Sequence, residues 1–331
     1  MIMYNLFFKI LIMNSLMLFN IFSLFFSDLM MIWFIMEISN FLFISLMSIY
    51  MKNKKMIFLY FFIQLIASCM IIYMIILNTL MNKNIYMNFL MIIPLFLKLS
   101  IPPFHLWLPL LCRSMPWQMI IILLTIQKLP PFYLLSLLKM PALLLYFSLI
   151  LTSLTPLYTL INNTNIKIMM AYSSINQSGW TIMLIYINDI MWLSYFIFYT
   201  LIMNMSLSMI HYYKMIMNMN FLPLMKLNIL PLFLMLNLAG MPPFSFFFMK
   251  WYSIFLVLSA SPLLALLILM MISSLIMLYI YISMMTYAMF TNKFIFKFFN
   301  INNNTPLPPF YNLNFSWKFT AFLLSLIILI I

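Results

Sequence analysis

A chain of 331 residues that is 67% hydrophobic and only 6% charged lies far from a soluble domain, which is ordinarily about half apolar and about a quarter charged. Its net charge of +13 does not mark a nucleic-acid binder, because the one arginine and the lysines are scattered between apolar runs instead of lining one face. These charges read as orientation signals for a membrane protein.

Apolar runs of roughly 20 residues follow one another with short polar breaks, the pattern of successive spanning helices. Long unalternated runs favour helices over a barrel. The expected architecture is an all-α polytopic membrane protein. About eleven helices are expected near 4–26, 28–50, 56–80, 86–109, 115–138, 141–161, 168–187, 190–213, 228–252, 256–289 and 316–331, with a loop over Asn300 to Asn314. With the N-terminus on one side, that side carries Lys52, Lys54, Lys55, Arg113, Lys167, Lys214, Lys226, Lys293, Lys297 and Lys318, against Lys83 and Lys139 on the other. The asymmetry places the N-terminus in the interior compartment, which in a mitochondrion is the matrix. Met, Ile, Phe, Asn and Lys dominate, as AT-rich codons would produce, and the N-terminal run enters the first helix without an arginine-rich transit segment. Both features point to an organelle-encoded chain.

Cys69 and Cys112 fall in or beside apolar spans and read as small apolar fillers. Gly179 and Gly240 are the two glycines, too few for a glycine-rich phosphate loop, and the two histidines form no Cys/His ligand motif. The expectation is that this chain holds no nucleotide, haem, metal or iron–sulfur cluster of its own.

"SIPPF" (Ser100 to Phe104) in the fourth helix returns as "GMPPF" (Gly240 to Phe244) in the ninth, each near a lysine. The fourth and ninth helices are five apart, an odd number, so the halves cross the membrane in opposite senses. This is an inverted repeat with discontinuous helices, the pattern that points to an ion path in transporters. A first repeat over about 1–140, a second over about 141–290 and a C-terminal loop and helix over about 291–331 form one transmembrane domain.

Four ions sit inside spans: Glu37, Lys98, Lys128 and Lys250. Each costs roughly 3 kcal/mol at a helix centre. The competing reading for the lysines is snorkelling to the interface, which also accounts for Lys9 near its helix start. Asp28 and Asp189 sit at helix starts and read as caps, and His211, beside Tyr212 and Tyr213, as an interfacial anchor. Prolines accompany each buried lysine, and Lys128 precedes Pro130 and Pro131. Proline frees backbone carbonyls, which survive at membrane depth only where protein or water meets them. A broken helix beside a lysine is therefore a polar, titratable niche. Burial favours the neutral amine and a nearby carboxylate the charged one, so a series of such niches makes a proton relay. His105 lies seven residues, about two helical turns, beyond Lys98. It either extends the relay or satisfies a local hydrogen bond.

The segments "WFIMEISNFLFISL", "KLSIPPFHLWLP", "IQKLPPFYLL", "AYSSINQSGW" and "GMPPFSFFFMKW" resemble the antiporter-like, proton-pumping subunits of mitochondrial respiratory complex I, in particular the NADH dehydrogenase subunit 2 family. The resemblance implies an antiporter-like fold in the inner membrane, among neighbouring antiporter-like membrane-arm subunits and lipids. It implies that Glu37 and Lys98 form an ion pair, that Lys128 is the central relay lysine and that Lys250 is the terminal one toward the next subunit. NAD, FMN, iron–sulfur clusters and ubiquinone then belong to other parts of the assembled complex. The chain departs from the family pattern at Ile168, Gln177, Leu110, Ser100 and Phe246. A free-standing cation/proton antiporter, a structural scaffold and a quinone-binding redox subunit are the competing readings, the last without a supporting residue pattern.

Overall fold

The computed structural model describes residues 2–80, 85–160, 165–187, 190–217, 230–242, 244–260 and 263–299. The expected loop at 300–314, the expected helix at 316–331 and Asp189 lie outside them. The described residues form thirteen α-helices and two 3-10 turns, with no strand among them. The helices are α1 (Ile2–Phe22), α2 (Leu29–Tyr50), α3 (Lys54–Leu80), α4 (Ile85–Leu99), α5 (Trp107–Ser114), α6 (Trp117–Leu124), α7 (Leu129–Leu137), α8 (Ala142–Leu160), α9 (Ile166–Ile187), α10 (Met191–Met217), α11 (Leu230–Ala239), α12 (Ser245–Ala260) and α13 (Leu264–Phe299). The 3-10 turns are Ser23–Phe25 and Ile126–Lys128.

Three expected helices are broken. The one expected at 86–109 is α4 followed by α5, and the one at 115–138 is α6, a 3-10 turn and α7. The one at 228–252 is α11 and then α12, which runs on to Ala260, so the next helix begins at Leu264 and not at 256. Among the described residues, seven helical segments are long and apolar enough to cross a membrane, and Phe89–Leu99 and Ser245–Leu258 are shorter apolar helices.

The chain divides into two compact units, residues 1–194 and 195–331. In the first, α3 packs on both α2 and α4, α8 on α9, and α9 also touches α5 and α7. Helix α9 is the inner element. It is buried almost all round from Met169 to Ile185 although it carries Ser173, Ser174, Asn176, Gln177 and Ser178. The outward positions of α1, α2, α3 and α8 carry Leu18, Phe34, Phe58 and Leu143 instead, each more than half exposed. Polar inside and apolar outside is the distribution lipid requires, since a buried hydroxyl or amide can be paired by protein while tails offer no partner. Many serines are paired within their own helix: Ser39 donates to the carbonyl of Met36 at 2.8 Å and Ser173 to that of Met170 at 2.8 Å.

Asp28 does occupy the N-cap position of α2, and its carbonyl accepts from Ile32 N–H at 3.1 Å. Its carboxylate makes no capping hydrogen bond, so its favourable term is the helix dipole alone. Lys9 lies 4.6 Å from the centroid of the Tyr50 ring, a cation–π contact in addition to any reach toward the interface. Cys112 is buried and Cys69 exposed.

Candidate functional site

The first site forms where α4 stops. Pro94 lies inside α4, and the helix ends at Leu99 because Ser100 takes the left-handed conformation, φ 57°. Ile101 N–H then reaches back to Phe96 O at 2.9 Å and Ser100 N–H to Leu97 O at 3.3 Å, the closing pattern of a Schellman cap. The peptide between Pro102 and Pro103 is cis, and helix resumes at Trp107. The indole of Trp107 donates to the carbonyl of Leu97 at 3.2 Å, so a carbonyl at the broken end is met by a side chain from beyond the break.

Lys98 sits in the last turn of α4, where the carbonyl end of the helix favours a cation. Its Nζ lies 3.0 Å from Oε1 of Glu37 on α2, with the lysine side chain 2% exposed and the glutamate 19%. Asn40, one turn along α2, donates to the same carboxylate oxygen at 3.4 Å, and Tyr60 of α3 donates to Asn40 at 3.5 Å. Glu37 and Lys98 are thus brought together from residues 61 apart in sequence.

Lys128 ends the 3-10 turn between α6 and α7. Thr125 turns its hydroxyl back onto the carbonyl of Ile121 at 2.6 Å, and Pro130 and Pro131 open α7, where absent N–H groups leave no helical bond unmade. Lys128 is 5% exposed. Its ammonium faces the carbonyl of Ser174 at 3.4 Å and the hydroxyl of Ser174 at 3.3 Å. Next to it, Gln127 donates from Nε2 to the carbonyl of Ser39 on α2 at 3.3 Å. A cavity of about 20 Å³ lies between these groups, lined by Asn40, Tyr60, Gln64, Lys98, Gln127 and Lys128 among others. That is room for about one water with several polar partners.

The second unit repeats the broken end. Gly240 has φ 80°, Met241 N–H reaches Leu236 O at 3.2 Å, and Gly240 N–H reaches Asn237 O at 2.9 Å. Phe244 N–H bonds Met241 O at 2.9 Å, as Phe104 N–H bonds Ile101 O at 3.0 Å in the first break. The helix ends at the two motifs therefore close with the same pattern of backbone hydrogen bonds. Lys250 of α12 folds back across this break. It is 5% exposed, donates to Ala239 O at 2.9 Å and lies 5.4 Å from the Phe246 ring centroid. Its side chain lies against the break and not along the exposed surface of α12.

His105 lies in the segment between α4 and α5, so its expected spacing of two helical turns from Lys98 is not realised. It is half-buried, with its ring 6.2 Å from that of Tyr172 on α9. Ser174, Gln127 and Asn40 are site residues that carry no charge to mark them in the sequence. The run of Ser, Asn and Gln in "AYSSINQSGW" was the available signal for Ser174. Lys167, at the start of α9, donates to the Met115 carbonyl beyond α5 and lies 5.4 Å from the Trp117 ring centroid. Among the described residues, no three His, Cys, Asp or Glu side chains gather as metal ligands would.

A bundle of membrane-spanning helices with lysines buried at interrupted helices defines an antiporter-like transmembrane protein. The chain matches the transmembrane family described as NADH:quinone oxidoreductase/Mrp antiporter over residues 26–277, and it belongs to that family. Glu37, Lys98, Lys128 and Lys250 all fall within the matched segment. NADH-ubiquinone oxidoreductase chain 2 of Anopheles gambiae is 33% identical over 235 residues, covering 66% of this chain and 68% of the relative. The protein of the same name from Rhipicephalus sanguineus is 31% identical over 287 residues, covering 82% of this chain and 87% of the relative. A chain of respiratory complex I from Thermus thermophilus, solved with bound aureothin, superposes with a TM-score of 0.69 at 18% identity, over 91% of this chain and 71% of that one.

Proposed function

We propose that this chain moves protons within the membrane arm of mitochondrial NADH:ubiquinone oxidoreductase, through the relay that begins at Glu37 and Lys98. The observation that carries this reading is Lys98, paired with Glu37 at a broken helix and lining the same water-sized cavity as Lys128. The chain is a multi-pass membrane subunit of an oxidoreductase whose electrons pass elsewhere.

The chemistry follows from what each ammonium touches. While Glu37 is ionised it holds Lys98 charged; protonating or displacing Glu37 leaves a buried cation without a counter-charge and drives it to give up a proton. The cavity offers a water between Lys98 and Lys128 as the carrier. A charged Lys128 is met by the two oxygens of Ser174, and a neutral one accepts from the cavity water. Lys250, held at the carbonyl end of α11, is the terminal relay residue toward a neighbouring antiporter-like subunit. His105, against Tyr172, either extends the first site or serves its own loop.

The two proline breaks support an inverted repeat of about 1–140 and about 141–290, followed by a C-terminal segment. The lysine distribution supports a matrix-side N-terminus in the inner membrane, and the residue usage supports organelle encoding. NAD, FMN, iron–sulfur clusters and ubiquinone are assigned to other subunits of the complex, and lipids to the apolar outer faces.

The test has two stages. Native membranes are solubilised in mild detergent and separated on a native gel, where this chain should migrate with NADH-oxidising, quinone-linked activity. Lys98→Ala and Lys128→Met should then lower the proton-to-electron ratio of the assembled complex in liposomes; a normal ratio in either variant removes that lysine from the relay. The Mrp antiporter relationship of the family favours one second reading, a free-standing cation/proton antiporter. Migration as a small particle with cation-dependent proton flux would establish it.

A further inference from the structure

Asn237 is buried, 4% exposed, in the last turns of α11. Its side chain does not serve α11. Oδ1 accepts the backbone N–H of Phe246 at 3.2 Å, and Nδ2 donates to the hydroxyl of Ser245 at 3.2 Å. Ser245 and Phe246 open α12, whose first N–H groups have no partner within their own helix. Asn237 thus acts as a helix cap delivered across the break from the preceding half-helix.

What this cap fixes is the seat of Lys250. The lysine lies about one turn further along α12, with Phe246 beneath its ammonium and the Ala239 carbonyl ahead of it. Its stem crosses Gly240 so closely that a Cβ there would stand 3.1 Å from Cδ and 3.1 Å from Nζ. The lysine thus packs directly over the break, and a shift of α12 on α11 would carry its Cα away from the Ala239 carbonyl. Asn237 and Lys250 tie the same two half-helices, one at the first turn of α12 and one a turn later.

We propose that Asn237 is the positioning residue for Lys250, holding α12 in the register that brings the ammonium onto the carbonyl end of α11. The proposal rests on the reading of Lys250 as a relay residue, and the experiment separates the two. Asn237→Leu, similar in size but without donor or acceptor, is made in the intact complex and reconstituted in liposomes. Two readouts are taken: the proton-to-electron ratio, and acylation of each lysine by a membrane-permeant amine reagent, located by mass spectrometry. Leucine removes the bonds to both Phe246 N–H and Ser245, so the expected result is at least about a fivefold rise in Lys250 acylation, the equivalent of one net hydrogen bond. Lys98 acylation is unchanged and the proton ratio falls. Asn237→Asp, which keeps the acceptor for Phe246 N–H and adds a carboxylate that favours the unreactive ammonium, leaves Lys250 acylation at or below the parent level. Parental Lys250 acylation in Asn237→Leu overturns the positioning role. Raised acylation with an unchanged ratio keeps that role and overturns the relay reading, which an unchanged ratio in Lys250→Met would overturn independently. Should Asn237→Leu fail to assemble, Asn237→Ser, too short to reach Phe246 N–H, is read in the same two ways.

Discussion

Gly240 makes the room that Lys250 occupies: a Cβ on residue 240 would stand 3.1 Å from both Cδ and Nζ of the lysine. The same glycine holds φ 80°, a region that costs an L-residue roughly 1–2 kcal/mol. Gly240→Ala is therefore penalised twice, once by the backbone and once by crowding a buried ammonium off the Ala239 carbonyl. The expected outcome is a complex that loses activity at lower temperature and pumps fewer protons per electron. Thermal inactivation and proton-to-electron ratio in liposomes measure the two effects; a variant unchanged in both would show that Lys250 has slack at this seat.

Ser100 stands where Gly240 stands in the other break, and it is in the left-handed region as well, φ 57°. A side chain is present where glycine adopts the conformation without steric cost. Ser100→Gly should relieve part of roughly 1–2 kcal/mol of local strain, offset by the greater freedom of glycine in the unfolded chain. A small gain in thermal resistance of the complex is expected. A loss would mean that the serine side chain contributes more to the break than its backbone angle costs.

The ions were legible in the sequence because each is expensive in an apolar run. That is why Glu37, Lys98, Lys128 and Lys250 stood out, and why the proline pairs beside them marked niches. What the proline pairs did not reveal was the extent of the interruption. A proline pair alone reads as a kink, whereas the left-handed Ser100 and Gly240 end the helix outright, so α5 and α12 start afresh. Ser174, Gln127 and Asn237 were not legible as site residues for a different reason. Neutral polar side chains cost little in a helix, and most serines here bond back to their own helix, as Ser173 does to Met170. Only the packing shows that Gln127 reaches a carbonyl 88 residues away.

Glu37 and Lys98 should behave as one unit. The lysine side chain is 2% exposed and the glutamate 19%, so removing the carboxylate strands the more deeply buried partner. A stranded buried ammonium sheds its proton instead of remaining charged. Glu37→Gln should therefore lower pumping about as much as Lys98→Ala, and the double variant should be no worse than either single one. The check is the proton-to-electron ratio of all three in the same liposomes. Additive losses would show that the two residues act separately.

Gln127 connects the two parts of the first site through its neighbours. It precedes Lys128, and its amide donates to the carbonyl of Ser39, two residues beyond Glu37, at 3.3 Å. It also lines the water-sized cavity that Lys98 and Lys128 share. Gln127→Leu keeps most of the volume while removing a polar partner for the water and the second hydrogen bond to the Ser39 carbonyl, a net loss of roughly 0.5–1.5 kcal/mol. Proton transfer between the lysines should slow while both lysines remain in place. The expected signature is a lowered proton-to-electron ratio with Lys128 acylation by a permeant amine reagent unchanged or raised. Gln127→Glu, which places an acceptor beside Lys128 and holds its ammonium charged, should lower the ratio by the opposite route and protect Lys128 from acylation. Normal pumping in both variants would separate the cavity from the path of the proton.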